Sequence, residues 1–250
     1  MAPTYLRRHI FLPQDHGSWV FIFSPLLVGI FAGNRFTLVS LSLVIAVVAA
    51  FLMRQPVTLL VKSYAGRRAR NEVSASLFWM SAYAIILLIA LYELVDAGFG
   101  YMLPLGIPAV FVFGWHLWLV SQREERKQVN VEIIATGVLS LAAPAAYWVG
   151  MGRYDPTGWW LWILVWLQTA ASIVHAYMRL EQRGLSQAPE PRTLWKLGLP
   201  ALLYTTLNLV MTLTLGMASS LPRLLFVPYL VQWLETVWGT FHPAIKWKPT

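Results

Sequence analysis

Eight long apolar runs, separated by short polar stretches, set the pattern of this chain. They fall at about Gly17–Gly33, Phe36–Met53, Ser74–Leu94, Gly100–Val120, Val131–Gly150, Trp159–Met178, Leu194–Met217 and Leu221–Gly239. Each approaches or exceeds the roughly 18 to 20 residues a helix needs to cross a hydrocarbon core of about 30 Å. Lipid offers the backbone no hydrogen-bond partner, so a spanning segment satisfies its own peptide groups as a helix. The alternating segments of about ten residues that mark a membrane β-barrel do not occur. The pattern predicts an all-α membrane protein, a bundle of eight transmembrane helices. The residues after the second run allow its helix to continue past Pro56. The loops are short, so residues 1–250 are expected to form a single polytopic domain.

Composition agrees with this. Of the 250 residues, 58% are hydrophobic and 12% charged, against about a quarter charged in a soluble domain. The charges are also asymmetric. With the N-terminus inside, only Arg35, Arg153 and Arg223 of the 19 lysines and arginines fall in outside segments. Cytoplasmic loops of membrane proteins carry this excess of positive charge. Both termini are therefore expected in the cytoplasm, across a plasma membrane of the bacterial type. The net charge of +8 follows from topology and contact with anionic lipid, and nucleic acid is not needed to explain it. With no cysteine, neither a disulfide nor a thiolate metal site is available. Pro25 interrupts the first run and no small-residue cleavage site follows it, so no cleavable signal peptide is expected.

Polar residues within apolar runs are costly and usually face the bundle interior. On the sixth run Gln168, Ser172, His175, Arg179 and Gln182 recur at helical spacing along one face. Such a stripe suits either a cavity wall or hydrogen bonding between helices. Arg54, Thr58 and Lys62 follow each other at every fourth position after the second run, beside Gln55 and Pro56. A proline there frees a backbone carbonyl, and Arg54 either lines a wet site or reaches to the interface. Arg67, Arg68 and Arg70 continue this basic stretch; such cations suit a phosphate or carboxylate, or a loop touching headgroups. The first run opens with Asp15-His16, where Asp15 is placed to cap the helix and His16 to carry a proton or touch a ligand. Glu132, Thr136 and Ser140 share a face of the fifth run, with Glu132 placed to pair with Lys127 or with a cation of the second or sixth run. His175 and His116 have no His or carboxylate four residues on along their own helices, so no zinc helix motif is expected. No metal and no cofactor are expected.

The opening Pro13-Gln14-Asp15-His16-Gly17-Ser18-Trp19, then Pro25 and Gly29, resembles the start of the YwiC-like membrane proteins. Arg54-Gln55-Pro56, followed by Lys62 and Arg67-Arg68, is similar to that family's second block. The resemblance implies a polytopic membrane protein and no particular reaction. A more distant likeness is to the UbiA-type intramembrane prenyltransferases, whose functional loops follow helices two and six on the cytoplasmic side. Those enzymes hold magnesium and diphosphate through Asp-rich motifs. Here Lys62–Glu72 contains no Asp, and Glu181–Glu190 carries no such motif. The likeness implies a cavity position, and magnesium-assisted prenyl transfer is not expected.

All these polar groups fall towards the predicted cytoplasmic side. The expected function is therefore a basic, cytoplasm-facing cavity for an anionic lipid or isoprenoid-like ligand. Its expected lining is Asp15, His16, Arg54, Gln55, Lys62, Arg67, Arg68, Glu132, His175 and Arg179, and whether chemistry follows binding is left open. Two other readings stand beside it. One is a small-molecule transporter using helices broken at its prolines; the other is an accessory subunit of a larger membrane complex.

Overall fold

The computed structural model describes residues 4–13, 16–68, 70–123, 129–185, 190–218 and 221–243. Every regular element among them is helical. The α-helices are α1 (Arg8–Phe11), α2 (His16–Gly33), α3 (Leu38–Tyr64), α4 (Val73–Leu94), α5 (Gly106–Gln122), α6 (Val129–Leu139), α7 (Ala142–Met151), α8 (Thr157–Arg183), α9 (Pro191–Ala218) and α10 (Val227–Phe241). Five helical stretches are long and apolar enough to cross a membrane: Leu38–Tyr64, Arg70–Gln122, Val129–Met151, Thr157–Arg183 and Pro191–Met217. The apolar helix Gly17–Gly33 is shorter. Large side chains such as Phe31, Leu38, Phe111 and Met217 lie exposed at 74% or more, as lipid-facing residues do. The chain is thus an all-helical membrane protein.

The breaks have local causes. Pro56 lies inside α3 without ending it, so that helix runs 27 residues. Its first turn is closed by a capping box, in which Thr37 and Ser40 each bond the other's backbone N–H. The 53-residue stretch Arg70–Gln122 is interrupted at Gly98, whose φ of 88° lies in the left-handed region. Gly98→Val is expected to lower stability by about 1–2 kcal/mol, the cost of that backbone under a side chain. The denaturation midpoint in detergent measures it. Gly106→Ala is the control, since its φ is −74° and nothing lies within 4 Å of the added Cβ. The fifth apolar run divides into α6 and α7 around Ser140-Leu141. Pro144 has no N–H to bond the Ser140 carbonyl; Ala143 N bonds it instead at 3.0 Å.

By its contacts the chain falls into two compact units, Met1–Val165 and Trp166–Thr250. In the first, α3 packs along α4 and α2 along α7. Its core gathers Ile22 and Leu26 from α2, Leu43 and Phe51 from α3, Leu94 from α4, and nearly all of α7. Small residues bring α2 and α7 together. A Cβ on Gly29 would come within 2.2 Å of the Ala143 carbonyl oxygen, and one on Gly33 within 2.9 Å of the Gly150 Cα. This spacing of glycines four apart is a known device for close helix approach in lipid. At the far end of α7, Trp148 Nε1 donates to the Asp155 carbonyl at 2.6 Å. The Asp155 side chain then accepts from Thr157 N at 2.8 Å and opens α8. The Thr157 hydrogen bonds hold that carboxyl below the usual carboxylate range.

In the second unit α9 packs against α10. A Cβ on Gly198 would fall 2.3 Å from Thr240 Cγ2. The buried threonines return their hydroxyls to their own helices: Thr205, Thr212, Thr236 and Thr240 each donate to the carbonyl four residues earlier. That bonding lets polar side chains sit in an apolar interface without orphaned groups.

Candidate functional site

In the first unit the polar groups collect where α2 begins and α3 ends. Arg54 is half-buried on α3. Its Nη2 points at the Ser18 hydroxyl at a long 3.4 Å, and its guanidinium lies 5.2 Å from the centre of the Phe51 ring. Ser18 belongs to the first turn of α2, so that turn and Arg54 are neighbours. The Thr58 hydroxyl donates to the Arg54 carbonyl at 2.7 Å. Gln55 turns another way and donates to the His9 carbonyl at 2.7 Å. Lys62, half-buried, occupies the last turn of α3.

Arg67 and Arg68 are also engaged within the fold. Arg67 donates to the Val120 carbonyl in the last turn of α5, where a cation favours the negative end of the helix dipole. Arg68 Nε lies 2.8 Å from Glu72 Oε2. Glu72 is only 7% exposed and also meets His9 Nε2 at 2.9 Å and Arg7 at 3.7 Å. A buried carboxylate requires such partners, because its desolvation is costly. Glu132 sits exposed in the first turn of α6, near the positive end of that helix. Asp15 and Lys127 lie outside the described residues; His16 begins α2 with its side chain outside them.

In the second unit the polar stripe of α8 meets α10. Gln232 Nε2 donates to the Gln168 carbonyl at 3.0 Å and to the Ser172 hydroxyl at 2.9 Å. Two turns on, Arg179 Nη1 donates to the Gly239 carbonyl at 2.8 Å, the His242 carbonyl at 2.7 Å and Gln182 Oε1 at 3.0 Å. Gln182, wholly buried, adds a bond to the Gly239 carbonyl at 3.0 Å. These two side chains close the C-terminal end of α10, whose last carbonyls have no partner within the helix. Between the two groups, His175 packs on bare Gly239, where a Cβ would lie 2.8 Å from its Cε1. Its Nδ1 is buried and meets no hydrogen-bond partner among the described residues.

The expected site residues therefore separate by role. Arg54 and Gln55 occupy one turn of α3, close to Ser18 and His9 respectively. Arg67, Arg68 and Arg179 are tied to carbonyls or to Glu72, and the α8 stripe acts through hydrogen bonds to α10. Sequence reasoning missed three members of the first cluster, Ser18, His9 and Glu72. Only Glu72 left a signal, its spacing of four residues from Arg68. His9 reaches Glu72 across 63 positions of chain.

The family model described as YwiC-like protein matches residues 12–147, more than half of the 250-residue chain. No curated protein and no solved structure matches it.

Proposed function

This chain belongs to the YwiC-like protein family, and we propose that it is an eight-span protein of a bacterial-type plasma membrane whose Arg54 end binds the headgroup of an anionic lipid or isoprenoid-like ligand. The eight spans are α2, α3, α4, α5, the α6–α7 pair, α8, α9 and α10, forming one polytopic domain. The break at Gly98 supports dividing Arg70–Gln122 into two of them. The distribution of lysine and arginine supports a cytoplasmic position for both termini, and so for the Arg54 end.

One observation carries the ligand assignment. Arg54 sits half-buried on α3, against a phenyl face and within 3.4 Å of a serine hydroxyl. A guanidinium offers five donors in a rigid fork suited to phosphate. Lys62 follows two turns later on the same helix, as a second positive charge for the same headgroup. Prenyl transfer is not part of this proposal, since neither loop carries an Asp-rich motif.

Arg54→Ala is expected to reduce co-purified phosphatidylglycerol about tenfold, the loss of a charged hydrogen bond of roughly 1.5 kcal/mol or more. Arg54→Lys should restore part of it. Native mass spectrometry of the detergent-released protein reads the lipid directly. Equal retention by the wild type and Arg54→Ala would sink the proposal.

A further inference from the structure

The length of α4 fixes the depth of the residues before it. Its 22 residues, Val73–Leu94, span about 33 Å at 1.5 Å per residue, little more than a hydrocarbon core of roughly 30 Å. The chain just ahead of Val73 therefore sits at the level of the lipid headgroups. Arg70–Glu72 forms a short 3-10 turn there. Phe78, exposed and five residues into α4, falls about 8 Å further along, at the boundary of the acyl chains.

The N-terminal segment is fastened at this same end. Trp79 Nε1 donates to the Tyr5 carbonyl at 2.7 Å, and the Tyr83 hydroxyl to the Phe11 carbonyl at 3.0 Å. Ile10 is fully buried against Leu59 of α3 and Ala75 of α4. Glu72 meets Arg7 and His9 from the segment as well as Arg68. These bonds hold the backbone of Tyr5–Phe11 and so decide what faces outward. Tyr5 meets Phe78 edge to face with ring centres 5.8 Å apart. Tyr5 and Leu6 lie exposed, as Phe78 does. Arg7, Arg8, Arg68 and Arg70 are exposed too. Residues 5–11 and 68–78 carry no carboxylate besides Glu72, which is buried and offsets one of the four arginines. The outward surface thus combines apolar rings at acyl depth with a net positive charge.

We propose that the N-terminal segment, with Arg68, Arg70 and Phe78, forms a pad that rests on the anionic surface of the bilayer. Tyr5, Leu6 and Phe78 enter the headgroup–acyl boundary, where tyrosine is commonly found. The arginines take lipid phosphates, which suit a guanidinium fork and draw each near-surface cation. A soluble acidic partner would meet the arginines and leave the rings uncovered, whereas lipid meets both. The pad is separate from the Arg54 site, and neither reading needs the other.

The chain has no cysteine, so Leu6→Cys carries a single fluorophore at an exposed position. The labelled full chain is placed in nanodiscs of phosphatidylcholine with phosphatidylglycerol, one lipid or the other bearing a spin label at the top of its acyl chain as quencher. Labelled phosphatidylglycerol is expected to quench several-fold more strongly than labelled phosphatidylcholine. Replacing Arg8→Gln and Arg70→Gln together should cut that preference about fivefold at low salt. In about 1 M salt, where charges are screened beyond roughly 3 Å, most of the preference should vanish. The two single variants cover the case of a poorly folding double variant. Equal quenching by both lipids in the wild type overturns the anionic surface, and quenching by neither overturns the contact itself. A preference unchanged in every arginine variant overturns these side chains as its source. Arg54→Ala should leave the preference as it is; a fall there would assign it to the Arg54 site and overturn the pad. Lipid retention after detergent release decides the Arg54 assignment separately.

Discussion

Gly29→Leu is expected to cost the protein about 3 kcal/mol or more. The reason is backbone contact. At this position the added Cβ meets the Ala143 carbonyl oxygen at 2.2 Å and Ala146 Cβ at 2.7 Å. A side-chain neighbour could rotate away, but a carbonyl can move only if α7 moves. That helix is buried along nearly its whole length between Ala142 and Gly150, so its displacement disturbs the core of the first unit. Gly33→Leu should behave alike, against Gly150. Gly114→Ala is the opposite case: it lies within α5 with nothing within 4 Å of the new Cβ. There the gain in helix propensity should be neutral or stabilising by up to about 1 kcal/mol. Thermal unfolding in a mild detergent, followed by near-ultraviolet circular dichroism, separates the two classes. Equal midpoints for Gly29→Leu and Gly114→Ala would remove the close approach of α2 and α7 as a source of stability.

Sequence pattern reveals the apolar runs because period and hydropathy are local properties. It places some of their ends closely, as at Ser74–Leu94 against α4, and misses others: the second run stops at Met53 where α3 continues to Tyr64, and the eighth opens at Leu221 where α10 begins at Val227. It does not reveal which glycines are contacts. Gly29 enters the sequence reading only as part of a family-like opening, whereas in the fold it is where two backbones meet. Similarly, the fifth run reads as one helix although Pro144 divides it. The proline was visible; its effect depended on whether the Ser140 carbonyl found another donor.

The cations show the same limit more sharply. Arg67, Arg68 and Arg179 look alike in sequence to Arg54, each at the basic end of an apolar run. Two of them bond main-chain carbonyls, on α5 and α10, and every residue has a carbonyl. No residue-type pattern could have identified those acceptors. The stripe on α8 was legible as a face, and both of its readings were open, a cavity wall or a seam between helices. Gln232, Gly239 and the Thr240 region provide the seam, and Gln182, wholly buried, is its most enclosed member.

Arg179 consequently supplies the sharpest separation between holding the fold and holding a ligand. Its Nη1 serves the Gly239 and His242 carbonyls, so Arg179→Ala leaves the end of α10 without its charged donor. Hydrogen bonds from charged groups contribute about 1.5–3 kcal/mol. A loss of about 2–3 kcal/mol is expected, with faster hydrogen exchange at the last amides of α10, including His242 N, which bonds the Trp238 carbonyl. Gln182→Leu should cost a similar amount, because the Gly239 carbonyl then loses its second donor. The double variant should depart from additivity, since the two side chains bond each other at 3.0 Å and serve the same carbonyl. Phosphatidylglycerol retention should be unchanged in whatever fraction stays folded, in contrast to Arg54→Ala, where retention falls and stability holds. Lost retention at unaltered stability in Arg179→Ala would instead return that guanidinium to the ligand and make its bonds to α10 incidental.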